Sequence, residues 1–210
     1  MQRRLSRLML LAMLTAAGTA VLTAMPAAQA QNAVELAGVR YPVTVQLGAT
    51  PLTLNGAGIR YRFVVKVYTA GLYLTTKATT PEAVFAAPGP RRLHVVMLRD
   101  IDGNDLGRLF TRGMRDNSSH EAFAKSIPGT LRLAELFAAK KRLAAGESFS
   151  VDWLPGQGTS IQINGKVQGE PIKEPEFFNA LMRIWLGKSP ADAALKDQLL
   201  GQAAPAPQQQ

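Results

Sequence analysis

The period of the hydrophobic pattern changes three times along this chain, and that succession leaves few folds open to it. From Val43 to Leu98 apolar residues recur mainly at every second position, as in half-buried strands. Val43, Val45 and Leu47 alternate with Thr44 and Gln46, Pro51 to Leu54 reads as a second short strand, and Asn55-Gly56-Ala57-Gly58 reads as a turn. Ile59 to Thr75 is rich in Tyr, Val and Phe, which favours strand. Tyr61, Phe63, Val65 and Val67 would share one face of it and Arg60, Arg62, Lys66 and Tyr68 the other, with Gly71 marking a bulge. Leu93 to Leu98 is apolar on both parities, as a central strand would be.

At Asp102 the period becomes helical. Asp102 is a fitting N-cap, Asp105 favours the positive end of the helix dipole, and Leu106, Leu109, Phe110, Met114 and Asn117 follow at helical spacing. Pro128-Gly129-Thr130 is expected to stop this helical region and cap a next helix carrying Leu133, Leu136 and Phe137, which Gly146 ends. Strands return with Phe149, Val151 and Trp153, a turn at Pro155 to Gly158, then Ile161 and Ile163, and Asn164-Gly165 is a strong hairpin signal. Pro175 opens a helix with Phe178, Leu181, Met182 and Trp185, which Gly187 would close in the left-handed conformation. Ser189-Pro190-Ala191-Asp192 caps a last helix through Leu195 and Leu199. Strands, helices, strands, helices in that order describe an α+β fold around a large antiparallel sheet.

The first thirty residues stand apart. Arg3, Arg4 and Arg7 precede Leu8 to Met25, which is uncharged, and the segment ends in Ala28-Gln29-Ala30. A basic front, an apolar middle and an A-x-A end describe a secretory signal peptide. Cleavage near Ala30/Gln31 predicts a periplasmic location, a domain over residues 31–201 and a disordered Gln/Ala/Pro tail over 202–210. The alternative is an uncleaved anchor, since the apolar run is just long enough to span a bilayer. Loss of the leader lowers the formal charge from +9 to +6, and the remaining Lys and Arg are scattered without interleaved aromatics, so no nucleic-acid partner is expected. No second long apolar run follows, so the mature chain should not span a membrane. There is no cysteine, which excludes a disulfide scaffold, a thiolate metal site, a cysteine nucleophile and a cysteine-linked lipid anchor.

Neither His94 nor His120 has a companion at metal-ligand spacing, no G-x-S-x-G elbow is present, and Asn55 to Gly58 lacks the Lys-Ser/Thr of a phosphate loop. No metal and no cofactor are expected. The leads are polar residues in apolar surroundings. Asn117 shares a helical stripe with Phe110 and Met114; it is either a helix C-cap or an amide aimed into a cavity between helix and sheet. Arg60 follows a glycine run and could hold a carboxylate or enolate through paired hydrogen bonds, or lie solvated at a strand edge. Tyr68 has the same parity, but eight strand residues would separate the two by about 26 Å unless the chain reverses between them.

Gly56-Ala57-Gly58-Ile59-Arg60 and Phe63-Val64-Val65-Lys66-Val67-Tyr68-Thr69-Ala70-Gly71-Leu72-Tyr73-Leu74 resemble the chalcone isomerase family, most closely its bacterial exported branch. Arg112 to Asn117, Phe177-Phe178, Ile184-Trp185-Leu186-Gly187 and Leu195-Lys196 fit the same pattern. The resemblance implies an open-faced β-sandwich with helices packed on one side of the sheet and a ligand cleft between. It implies that Arg60 matches the arginine that anchors substrate and stabilises its oxyanion, and Asn117 the asparagine of the cleft helix. Phe110 stands where the family has an active-site tyrosine, Tyr68 where it has one threonine, and Ile184 at or near another.

Three readings follow. The first is a binding protein for a small apolar or aromatic acid, such as a fatty acid, with Arg60 pairing the carboxylate, Tyr68 and Asn117 hydrogen-bonding, and Phe110 and Ile184 lining the apolar part. The second is an isomerase (an intramolecular lyase) closing a chalcone-type ring by conjugate addition, with Arg60 and Asn117 as catalytic groups. The third is a structural or interaction protein whose cleft is filled by its own side chains. The oligomeric state is left open. Mass spectrometry of the exported protein should give a chain starting at Gln31; an intact Met1 would contradict the leader assignment.

Overall fold

A computed structural model describes residues 33–202. Residues 1–32, on which the expected leader falls, and residues 203–210, on which the expected disordered tail falls, lie outside the described residues. Strands β1 (Ala33–Leu36) and β2 (Val39–Pro42) form a hairpin, and β3 (Thr44–Leu47), β4 (Thr50–Arg62) and β5 (Val65–Leu74) a meander. Helix α1 (Pro81–Ala86), strand β6 (Arg91–Met97) and the short β7 (Ile101–Asp102) lead into α2 (Gly103–Asp116) and α3 (His120–Lys140). Then come β8 (Arg142–Leu143), β9 (Ser148–Leu154), β10 (Gly158–Ile163), β11 (Lys166–Val167), α4 (Pro175–Leu186) and α5 (Ala193–Leu199). Seven strands pair antiparallel in the order β11-β10-β9-β6-β5-β4-β3, with β6 at the centre. The architecture is the α+β one expected: a large antiparallel sheet with helices packed on one face.

The parity of the pleat sorts the two faces. Ala70, Leu72, Leu93, Val95, Met97, Phe149, Val151 and Ile161 join Phe110, Met114, Phe137 and Phe177 from the helices in the main core. On the opposite face Tyr41, Leu47, Leu52, Leu54 and Tyr73 form a smaller core with the β1–β2 hairpin. There Tyr41 donates to Thr69 Oγ1 at 2.7 Å, and its ring fills the space that a side chain at Gly71 would need. The rest of that face is polar: fully buried Asp152 accepts from Arg92 Nε and Nη2 and from Gln162 Nε2, each at 2.7 Å. His94 lies 2.9 Å from Ser150 Oγ, and burial holds its pKa below the usual imidazole range. β6 is therefore buried in alternation, helix-facing at Leu93, Val95 and Met97, not on both parities as its composition suggests.

Four local readings change. Ile59 to Thr75 is not one strand: the chain reverses at Phe63-Val64, so Arg60 pairs directly opposite Tyr68. Asn55 to Gly58 is not a turn but the middle of β4, where the glycines let α5 approach. A Cβ at Gly56 would strike the carbonyl oxygens of Gln198 and Leu199, and one at Gly58 the side chain of Gln198. Asn55, at a register shift, donates to the carbonyls of Ala78 (2.9 Å) and Leu199 (2.8 Å) and accepts from Ala78 N (2.7 Å), which ties β4 to the end of α5. Pro128 does not stop a helix; it lies inside α3. An interior proline loses one backbone bond and costs about 3 kcal/mol, which buried Leu133 and Phe137 and the close seat of Gly129 against Phe177 offset. Gly187 is extended (φ −74°), and glycine is needed there because Asn117 Oδ1 occupies the place of a Cβ.

The caps agree with the sequence. Asp102 accepts from Asn104 N and Asp105 N, Asp192 from Leu195 N, and Pro175 opens α4. No helix among the described residues is long and apolar enough to cross a membrane. Because a Cβ on Gly56 meets backbone, Gly56→Ala must push α5 off the sheet. We expect it to lower stability by about 1–3 kcal/mol, read as a fall of several degrees in melting temperature; an unchanged melting curve would refute the close-approach argument.

Candidate functional site

Between the helix-facing side of the sheet and helices α2 and α4 lies a hollow of about 480 Å³. Its position follows from the β4–β5 reversal, which brings Arg60 and Tyr68 to one place at the sheet's end. Arg60, Tyr68, Phe110, Asn117 and Ile184, all singled out from sequence, border this single hollow. Val67, Met97, Ile101, Leu106 and Phe149 supply much of the remaining wall. The cleft is thus not filled by its own side chains.

Arg60 is not the lone cation that its sequence context suggests. Its Nη1 donates to Asp192 Oδ2 at 3.3 Å and to the backbone oxygen of Tyr61. Asp192 Oδ2 also accepts from Tyr61 N at 3.0 Å, while Oδ1 caps α5 through Leu195 N at 3.1 Å. One carboxylate therefore joins the start of α5 to the end of β4 and fixes the guanidinium. Nε and Nη2 of Arg60 have no hydrogen-bond partner among the described residues, so one edge of the fork remains for an anion.

Tyr68 accepts from Trp185 Nε1 at 2.9 Å, which leaves its own O–H free to donate. Burial pushes its pKa up to about 12, partly offset by the Trp185 bond and by the Arg60 charge. A donor, not a phenolate, therefore stands across from the guanidinium at neutral pH. Cross-strand partners have Cα atoms about 5 Å apart, so the two side chains act as one polar spot on an otherwise apolar wall.

Asn117 resolves toward the cap. It is the C-cap residue of α2, and its Nδ2 donates to the carbonyls of Gly113 and Ser189, both at 2.9 Å. Its Oδ1 accepts from Ser189 N at 2.7 Å. Both amide hydrogens are spent, so the side chain staples α2 to the α4–α5 connection and holds the wall of the hollow, with one acceptor lone pair left. Phe110 is buried in edge-to-face contact with Phe137, Phe149 and Trp185, at centroid distances of 5.4, 5.7 and 5.8 Å. It presents no hydroxyl to the hollow. Ile184, on α4, faces Gly113 of α2, where a Cβ would approach it to 3.1 Å.

The model of the chalcone isomerase-like family matches residues 33–201. The chain belongs to the chalcone isomerase-like family. Its fold resembles the crystal structure of a fatty-acid binding protein from Arabidopsis thaliana, with a TM-score of 0.66 over 80% of this chain and 96% of that one at 14% identity. At that identity the likeness is one of fold. No curated protein matches the sequence.

In this chalcone isomerase-like chain, sequence reasoning missed Asp192 and Trp185. The first signals a helix cap and the second an apolar stripe; nothing in one dimension announces the bonds of Asp192 to Arg60 and Tyr61 N or the bond of Trp185 to Tyr68. It also missed Arg62 and Arg112, which border the hollow at its open side. Asn117→Ala removes three hydrogen bonds at one joint. We expect a loss of about 1–3 kcal/mol in thermal or urea denaturation; stability equal to wild type would show that the staple carries nothing.

Proposed function

We propose that this member of the family is an exported, periplasmic carrier for a small apolar or aromatic acid, a fatty acid first among them. The observation that carries the reading is the pairing of Arg60 and Tyr68 across adjacent strands, on a hollow whose remaining wall is mostly apolar. A carboxylate would take the free Nε–Nη2 edge of Arg60 and the O–H of Tyr68, and the chain would run toward Phe110 and Ile184. A volume of about 480 Å³ lies within the range of small-ligand sites. The neighbour in fold is named as a fatty-acid binding protein, which supports the same class of ligand. Arg60 and Asp192 cancel in charge, so an entering carboxylate adds a negative charge; Arg62, which has no ion-pair partner among the described residues, offsets it from the rim.

Ring closure by conjugate addition would draw on the same guanidinium. Two observations support binding over it: Phe110 supplies no hydroxyl to polarise a ketone, and Arg60 is already half engaged by Asp192.

Calorimetric titration of delipidated protein with fatty acids of increasing length tests the proposal. Affinity should rise about fourfold per added methylene, the worth of roughly 0.8 kcal/mol of burial, until the hollow is full. Arg60→Ala should weaken binding by about 10- to 100-fold, since a charge-assisted bond carries about 1.5–3 kcal/mol. Tyr68→Phe should weaken it by about tenfold. Because Tyr68 keeps its proton to about 12, its contribution should be level from about pH 7 to about pH 10. Absence of saturable binding, or wild-type affinity in Arg60→Ala, would overturn the reading.

A further inference from the structure

The β4–β5 hairpin ends in the two most exposed large apolar side chains among the described residues, Phe63 at 92% and Val64 at 91%. Phe63 takes φ +55°, a left-handed conformation that a bulky aromatic rarely adopts. A two-residue turn chosen for backbone geometry alone carries Asn-Gly, as this chain does at Asn164-Gly165 between β10 and β11. At Phe63-Val64 the chain instead accepts strain and exposes apolar surface at the same point. Folding explains neither, because neither side chain packs in either core.

The tip stands in a cationic collar. Arg62 and Lys66 are its neighbours along the hairpin. Arg62, Arg99, Arg108 and Arg112 outnumber the carboxylates Asp100 and Asp105 around an open depression of about 720 Å³ beside Phe63, where Asp100 is itself paired with Arg142. Arg108 and Arg112 are paired with Asp105 and Asp116, but Arg62, Lys66 and Arg99 have no ion-pair partner among the described residues. Leu109, 55% exposed, adds a further apolar side chain to the depression. The depression and the inner hollow share Arg62, Val67, Ile101, Leu109 and Arg112, so the collar adjoins the hollow.

We propose that this end of the molecule docks on an anionic phospholipid bilayer. Phe63 and Val64 enter the boundary between headgroups and acyl chains, and Arg62, Lys66 and Arg99 meet lipid phosphates. A second copy of the chain fits the tip less well, because a two-fold contact there would face one cationic collar with another. Docking in this orientation sets the mouth of the hollow against the lipid, so an apolar acid passes between them without crossing water. That purpose rests on the carrier reading; the docking itself does not.

The test is co-sedimentation of the exported, processed protein with vesicles of phosphatidylcholine, with and without phosphatidylglycerol. Wild type should sediment only with the anionic vesicles and be released by added salt. The F63S/V64S variant should bind them about tenfold or more weakly, and a Phe63→Trp variant should show a blue-shifted emission on adding them. Equal sedimentation of wild type and F63S/V64S, no binding by wild type, or a vesicle-free dimer that F63S/V64S abolishes would overturn the proposal. Vesicle binding without fatty-acid uptake would leave docking standing and end the carrier reading; uptake without vesicle binding would do the reverse.

Discussion

The Asp192 carboxylate is the joint on which the site depends. One oxygen caps α5; the other holds Arg60 and the backbone N–H of Tyr61 at the end of β4. An unpaired guanidinium beside an apolar hollow would swing toward bulk water, where its hydration is free of any penalty. Pairing it with a carboxylate that is itself largely buried keeps it at the wall. The arrangement leaves the guanidinium half used, as a receptor for a second carboxylate requires. The same economy recurs at Tyr68, whose oxygen is taken by Trp185 and whose proton is left over.

Around this joint, close approaches set the shape of the cleft. Gly56 and Gly58 let α5 lie on β4, and Gly187 leaves room for the Asn117 carbonyl. Gly113 lets α2 near Ile184 on α4. Each missing side chain lets a helix come nearer to its neighbour, yet the space between sheet, α2 and α4 stays open. Phe110 and Phe149 border the hollow, and their edge-to-face contacts with Phe137 and Trp185 hold them in place.

Much of this was legible in one dimension, and the failures are physical ones. The change of period from two to 3.6 and back placed the sheet and the helices, the caps at Asp102 and Asp192 fell where side-chain chemistry put them, and Pro175 opens α4 at its first turn. The hairpin at Phe63-Val64 was not legible, because its residues are strand formers and the turn is forced on them by the pairing of β4 with β5. Asn55 to Gly58 has turn composition, but its glycines serve tertiary contact. Pro128 sits in a helix whose packing outweighs a local penalty. Arg60, Tyr68, Phe110, Asn117 and Ile184 are legible in the sequence and do border one hollow, whereas the ion pair of Arg60 with Asp192 and the bonds of Asn117 to Ser189 join residues far apart along the chain.

The central claim is that an anionic headgroup sits between Arg60 and Tyr68 with an apolar chain beyond it. A crystal structure of the protein with a terminally brominated fatty acid tests that claim most directly. The account predicts a carboxylate within hydrogen-bond reach of Arg60 Nε or Nη2 and of the Tyr68 oxygen, with the bromine's anomalous signal beside Phe110 and Ile184. A bromine signal elsewhere on the molecule, or a carboxylate turned away from Arg60, would contradict it.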